Sequence, residues 1–122
     1  LFIFSQDDEM TFGMLNLLEA NAVSEETKAD LKDLNVYISA IGGMAELYAV
    51  MDGTSDQAAI AETYFDDMMS VYFSPAMFKD AINLMLDYLA GNWDYEVGSG
   101  KYIDVWIVDR TNVDQYEGFT GH

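Results

Sequence analysis

Apolar positions recur at helical spacing through the middle of the chain. Ala58, Ala61, Phe65, Met68, Met69 and Tyr72 form one stripe, and Phe78, Ala81, Ile82, Met85, Leu86 and Leu89 form a second. Thr54 with Gln57 has the spacing of a capping box, Ser74-Pro75 suits an N-cap followed by the first helical residue, and Gly91 stands where a helix should stop. Two helices meeting at Ser74-Pro75 are therefore expected to organise the chain.

Upstream, Leu1 to Ser5 reads as a short strand, in preference to Leu-Phe-Ile-Phe being the stub after a removed signal or anchor segment. Asp7, Asp8 and Glu9 place negative charge where a helix N-terminus favours it. Met10, Met14, Leu17 and Leu18, widened by Phe12 and Leu15, then predict a helix from about Asp8 to Ala20. Ser24 caps the next segment, with Ala29, Leu31 and Leu34 inward and Lys28, Asp30, Lys32 and Asp33 as a solvated face. From Val36 to Met51 the apolar spacing again fits a helix, against the alternative of a strand over Val36 to Ile41. Gly42-Gly43 inside that run costs about 1 kcal/mol per glycine in helix propensity; close approach of a neighbouring helix would account for the pair.

After Gly91 the period falls to two. Trp93, Tyr95 and Val97 alternate with Asp94 and Glu96, Gly98-Ser99-Gly100 reads as a turn, and the alternation resumes from Tyr102 to Val108. That is a β-hairpin pattern, and Thr111 could cap a last turn through Val113 and Tyr116. The run from Tyr95 to Asp109 and on to Tyr116 is similar to strand pairs of extracellular β-sandwich modules, a likeness that the helical remainder does not share. The expected fold is α+β: a mostly helical bundle of four to five helices with a small antiparallel sheet, built from the C-terminal hairpin with Leu1 to Ser5 as a candidate third strand.

Charge changes the picture more than length does. The 122 residues suit one domain, and 51% of them are hydrophobic, ample for a core. Twenty-two acids oppose five cations, Lys28, Lys32, Lys79, Lys101 and Arg110, for a formal charge of −17. Direct nucleic-acid binding is disfavoured, because that affinity comes from Lys and Arg displacing counterions, and an anionic membrane surface would repel the chain. A basic protein surface or a divalent cation would be attracted. Crowded carboxylates also predict folded-state pKa values raised on average, hence greater stability near pH 5 than at pH 8.

Candidate chemistry is sparse. There is no Cys, and the one His is His122, so Ser-His-Asp and Cys-His catalysis and the common zinc sites lack their residues. Asp52-Gly53-Thr54-Ser55-Asp56 suggests a calcium loop, but Gln57 and Thr63 stand where an EF-hand needs Gly and Glu. Glu62 and Asp66, one helical turn apart with Asp67 adjacent, could share a hard cation; a solvated helix face explains them more simply. No catalytic, metal or cofactor residue is assigned.

What remains is recognition. The carboxylates expected to meet a basic protein surface are Glu62, Asp66 and Asp67 on the central helix, with Asp94, Glu96 and Asp104 on the hairpin, beside Trp93 and Trp106. A non-enzymatic inhibitor, immunity protein or DNA mimic would have these features, and self-association into a homo-oligomer is the further partner expectation. The alternative is a secreted or surface-attached structural or ligand-sensing domain, acidic because of its surroundings or Ca²⁺.

Overall fold

The computed structural model describes residues 1–73, 77–92 and 104–120. In chain order the elements are β1 (Phe2–Phe4), α1 (Asp8–Glu19), α2 (Glu25–Asp33), β2 (Tyr37–Gly42), α3 (Ala45–Met51), α4 (Ala58–Tyr64), β3 (Asp67–Tyr72), α5 (Met77–Leu89) and β4 (Ile107–Asp109), followed by a 3-10 turn at Val113–Gln115. The strands form one mixed sheet in the order β1-β2-β3-β4. β1 is parallel to β2 and β2 to β3, with Phe2 beside Tyr37 and Tyr37 beside Asp67. β4 is antiparallel to β3, with Met69 beside Asp109 and Val71 beside Ile107.

The expected helical bundle with a small antiparallel hairpin sheet is thus overturned. The N-terminal strand forms as expected but pairs in parallel with a strand from the middle of the chain. Both apolar runs read as long helices are split. Val36 to Met51 becomes β2 and the short α3, and the run from Ala58 to Tyr72 becomes the short α4 and β3. Gly42-Gly43 makes the first break, and Gly43 has φ +91°, a conformation that favours glycine. A Cβ there would also stand 2.4 Å from the Tyr72 ring. The second break falls at Phe65-Asp66, where the Asp66 N–H bonds the Val36 carbonyl at 2.8 Å and its Oδ2 accepts from the Val36 N–H at 2.7 Å. That reciprocal pair registers the start of β3 against β2. Of the C-terminal hairpin, 107–109 is the described strand, 104–106 is irregular, and the turn at Gly98-Ser99-Gly100 lies outside the described residues.

Local capping sets the first two helices as the sequence predicts. Asp7 Oδ1 accepts from the Met10 N–H at 2.8 Å, and Ser24 Oγ from the Thr27 N–H at 3.1 Å. Thr54 forms no capping box; its hydroxyl turns back to Asp52 Oδ1 at 2.6 Å. The inward face of α2 also differs from expectation. Lys28 is buried, bonding Asn21 Oδ1 at 2.7 Å and Glu25 Oε1 at 2.8 Å, while Ala29 and Leu34 are exposed.

The core lies between the sheet and the first four helices. Leu15 and Leu18 of α1, Leu47 and Val50 of α3, and Ala61 of α4 meet Ile38, Ala40, Met68 and Val108 of the sheet. Two successive parallel crossovers that step the same way across a sheet, with the common right hand, deliver their helices to one face. α1 to α4 accordingly share a face of this sheet, with α4 packed against each of the other three.

A buried carboxylate fastens that layer. Asp8 is fully buried at the start of α1. Its Oδ2 accepts from the Gly43 and Met44 N–H groups, both at 2.8 Å, and its Oδ1 from Ser70 Oγ at 2.8 Å. Three charge-assisted bonds offset the cost of taking the charge out of water. They join α1, the β2–α3 turn and β3 at one point.

Candidate functional site

The opposite face of the sheet is open. In a parallel ladder paired residues share a face, and alternate residues lie on opposite faces. One face therefore presents three rows: Phe2–Tyr37–Asp67, Phe4–Ser39–Met69–Asp109 and Ile41–Val71–Ile107. Phe2 and Phe4 are each 62% exposed, Ile107 55% and Tyr37 45%; Ile41, Met69 and Val71 are half-buried. The interleaved residues Ile38, Ala40, Met68 and Val108 are each at most 2% exposed. Within the open face, Phe2, Tyr37, Met69, Asp67 and Asp109 line a hollow of about 140 Å³.

Both acids of that hollow are held in place. Asp67 Oδ1 accepts from the Met68 N–H at 2.8 Å. Asp109 Oδ1 accepts from the Thr111 hydroxyl at 2.6 Å and the Thr111 N–H at 2.7 Å, bonds that hold its carboxyl below the usual range. No Lys or Arg lines the hollow. Its chemistry is an apolar floor with a negative rim at the amino ends of the parallel strands.

The sequence-selected residues fall in different places. Asp67 lies on the open face. Asp66, its neighbour, points its carboxylate at the Val36 backbone instead, and Glu62 is exposed on α4 beside a separate polar recess with Lys32. The three do not converge, and among the described residues no group of three acids or other ligating side chains could hold a metal ion. Asp104 is exposed just before β4. Trp106 is 48% exposed, its ring 6.4 Å from that of Tyr116, and its carbonyl accepts the Tyr72 N–H. Trp93, Asp94 and Glu96 lie outside the described residues.

Sequence reasoning missed Phe2, Phe4, Tyr37, Ile41, Met69, Val71 and Ile107 as a surface. The signal was present in Phe2-Ile3-Phe4 and in Met68-Met69, where consecutive apolar residues put hydrophobic groups on both faces of a strand. That pattern belongs to a parallel sheet covered on both sides.

A larger cleft, about 380 Å³, lies at the carboxyl ends of the parallel strands, lined by Gln6, Asp7, Asp8, Glu9, Ile41, Gly42, Met44, Phe73 and Phe119. Its central carboxylate, Asp8, is already spent on three protein donors, and Asp7 caps α1. Beneath it the Tyr48 hydroxyl is buried without a partner; burial first, then the negative charge of Asp8 and of neighbouring tyrosines, pushes its pKa well above the ordinary phenol value. The cleft is organised to hold the fold together. Comparison with protein-family models, curated proteins and solved structures returns no match to this chain.

Proposed function

We propose that the protein is a non-enzymatic protein-binding module, of the inhibitor, immunity or DNA-mimic kind, and that it docks a basic protein surface with the open face of its sheet. One observation carries the reading: an apolar sheet face, exposed at Phe2, Phe4, Tyr37 and Ile107, whose charged residues are Asp67 and Asp109. Exposed apolar patches rimmed by polar groups mark interaction sites, and the −17 charge selects the partner's sign. The partner accordingly presents apolar side chains ringed by Lys or Arg. Nucleic acid and anionic membranes are disfavoured by the same charge. The alternative, a ligand-sensing domain, would use the carboxyl-end cleft, where the buried carboxylate is already committed.

The test uses an amphipathic helical peptide of leucine and lysine as a surrogate partner, with its leucine–glutamate counterpart as control, followed by fluorescence anisotropy. The lysine peptide binds and the glutamate peptide does not. Met69→Asp, on the open face, weakens binding at least tenfold, whereas Glu62→Gln changes it little. Equal binding of both peptides, or no effect of Met69→Asp, refutes the reading.

A further inference from the structure

The open face raises the question of what covers it when no partner is present. Strands β1 to β3 are apolar on both faces, the composition of a parallel sheet with two covering layers, and α1 to α4 supply only one. The remaining helix, α5, has no buried residue. Its Phe78, Ile82, Met85 and Leu89 follow one another at helical spacing and are 58–73% exposed, while Asp80, Asn83 and Asp87 lie on the opposite side.

We propose that α5 is this chain's own cover for the open sheet face, closing over it as a second helical layer until a partner displaces it. The proposal rests on the reading of that face as the docking surface, and it makes α5 the partner's competitor.

Three observations point to α5 as the occupant. The dimensions agree: thirteen helical residues span about 20 Å, and the six-residue strands β2 and β3 span about 20 Å as well. The tether is short, because Met77 follows Tyr72, the last residue of β3, by five positions, at most about 18 Å of chain. A tethered helix therefore has an effective concentration that a free one lacks. Charge opposes the rival arrangement in which a second copy supplies the helix, since each copy brings −17. A foreign basic partner suffers no such repulsion, so it can displace α5 where another copy of the chain cannot.

The protein contains no cysteine, so pairs of introduced thiols report proximity cleanly. The double variant Met69→Cys with Met85→Cys joins the open face to the apolar side of α5; Met69→Cys with Ile82→Cys is a second such pair. Met69→Cys with Asp87→Cys, on the polar side of the helix, is the control. Oxidation at low protein concentration is followed by non-reducing electrophoresis and intact mass. The expected result is an intramolecular disulfide in at least one apolar-side pair, forming at least tenfold faster than in the control. The oxidised monomer should lose binding of the lysine–leucine peptide and regain it with dithiothreitol.

Disulfide-linked dimers, equal rates in all pairs, no disulfide, or an oxidised monomer that still binds the peptide would each overturn the proposal. The docking reading fails separately, if Met69→Asp leaves peptide binding of the cysteine-free protein unchanged.

Discussion

Met68 and Met69 are adjacent in the chain and chemically identical, yet Met68 is 1% exposed within the core and Met69 lies half-buried on the open face. The same contrast runs across the whole sheet, with Ile38 against Tyr37 on β2 and Val108 against Ile107 on β4. Hydrophobicity does not separate the two faces. Connectivity does: β1 to β2 and β2 to β3 step the same way and leave α1 to α4 on one side. Residues of one composition thus serve as core on one face and as a contact surface on the other.

The strongest way to break that comparison is to put the same charge on each side. Met68→Asp should cost about 4 kcal/mol or more in urea unfolding, or prevent folding, because it places a carboxylate in the core. Met69→Asp should cost less than about 1 kcal/mol while weakening peptide binding at least tenfold. Similar losses from both would mean that the open face is covered as tightly as the core.

Asp8→Ala comes next. It takes the acceptor from the Met44 N–H and the Ser70 hydroxyl and leaves the buried Gly43 N–H with only Ser70 Oγ at 3.1 Å, with an expected loss of about 3 kcal/mol by the same measurement. Gly43→Ala should cost about 2 kcal/mol, since the added methyl meets the Tyr72 ring in a backbone conformation unsuited to alanine. Both act on the covered side, so the binding affinity of whatever remains folded should not change.

A smaller effect of the opposite sign is expected at Tyr48. Its buried hydroxyl lacks a partner, so Tyr48→Phe should stabilise the protein by up to about 1 kcal/mol at pH 7. The Tyr48 pKa is raised on folding, so its contribution is intact below the unfolded value near 10 and is lost as pH rises beyond it. The gain from Tyr48→Phe should therefore grow between pH 10 and 11.

The smallest effect lies on the open face. Two carboxyls of the described residues, Asp109 and Glu25, are held below the usual range: Asp109 by the Thr111 hydroxyl and backbone, Glu25 by its hydrogen bond to Lys28 and that residue's charge. Charge crowding alone predicts the reverse. A lowered folded-state pKa gives stability that is present above the unfolded value and lost as pH falls through the folded one. Thr111→Val should accordingly cost at most about 1 kcal/mol at pH 7 and nothing near pH 2, read from melts at the two pH values.

Much of the local structure was legible in the sequence, because caps and stripes act over short distances. Asp7 and Ser24 start α1 and α2 where their side chains indicate, α5 occupies the second apolar stripe, and Gly91, with φ +78°, follows its end. The parallel sheet was not legible. Its central strands are apolar on both faces, so Val36 to Ile41 and Met68 to Tyr72 lack the alternation that marks a half-buried strand, and their residues also satisfy helical spacing. The candidate surface was hidden for the same reason. Asp67 could be selected for its charge, but its apolar neighbours Phe2, Tyr37 and Met69 come together only through pairings between distant parts of the chain.

The Asp8 carboxylate also constrains how the molecule opens. Its donors stand 35, 36 and 62 positions away along the chain, so its bonding is complete only when all three parallel strands are in place. A form with β1 and β2 joined but β3 detached would lose the Ser70 donor while keeping the charge desolvated, and would be penalised accordingly. The three parallel strands should therefore exchange their amide hydrogens as one cooperative unit, with protection near that of global unfolding.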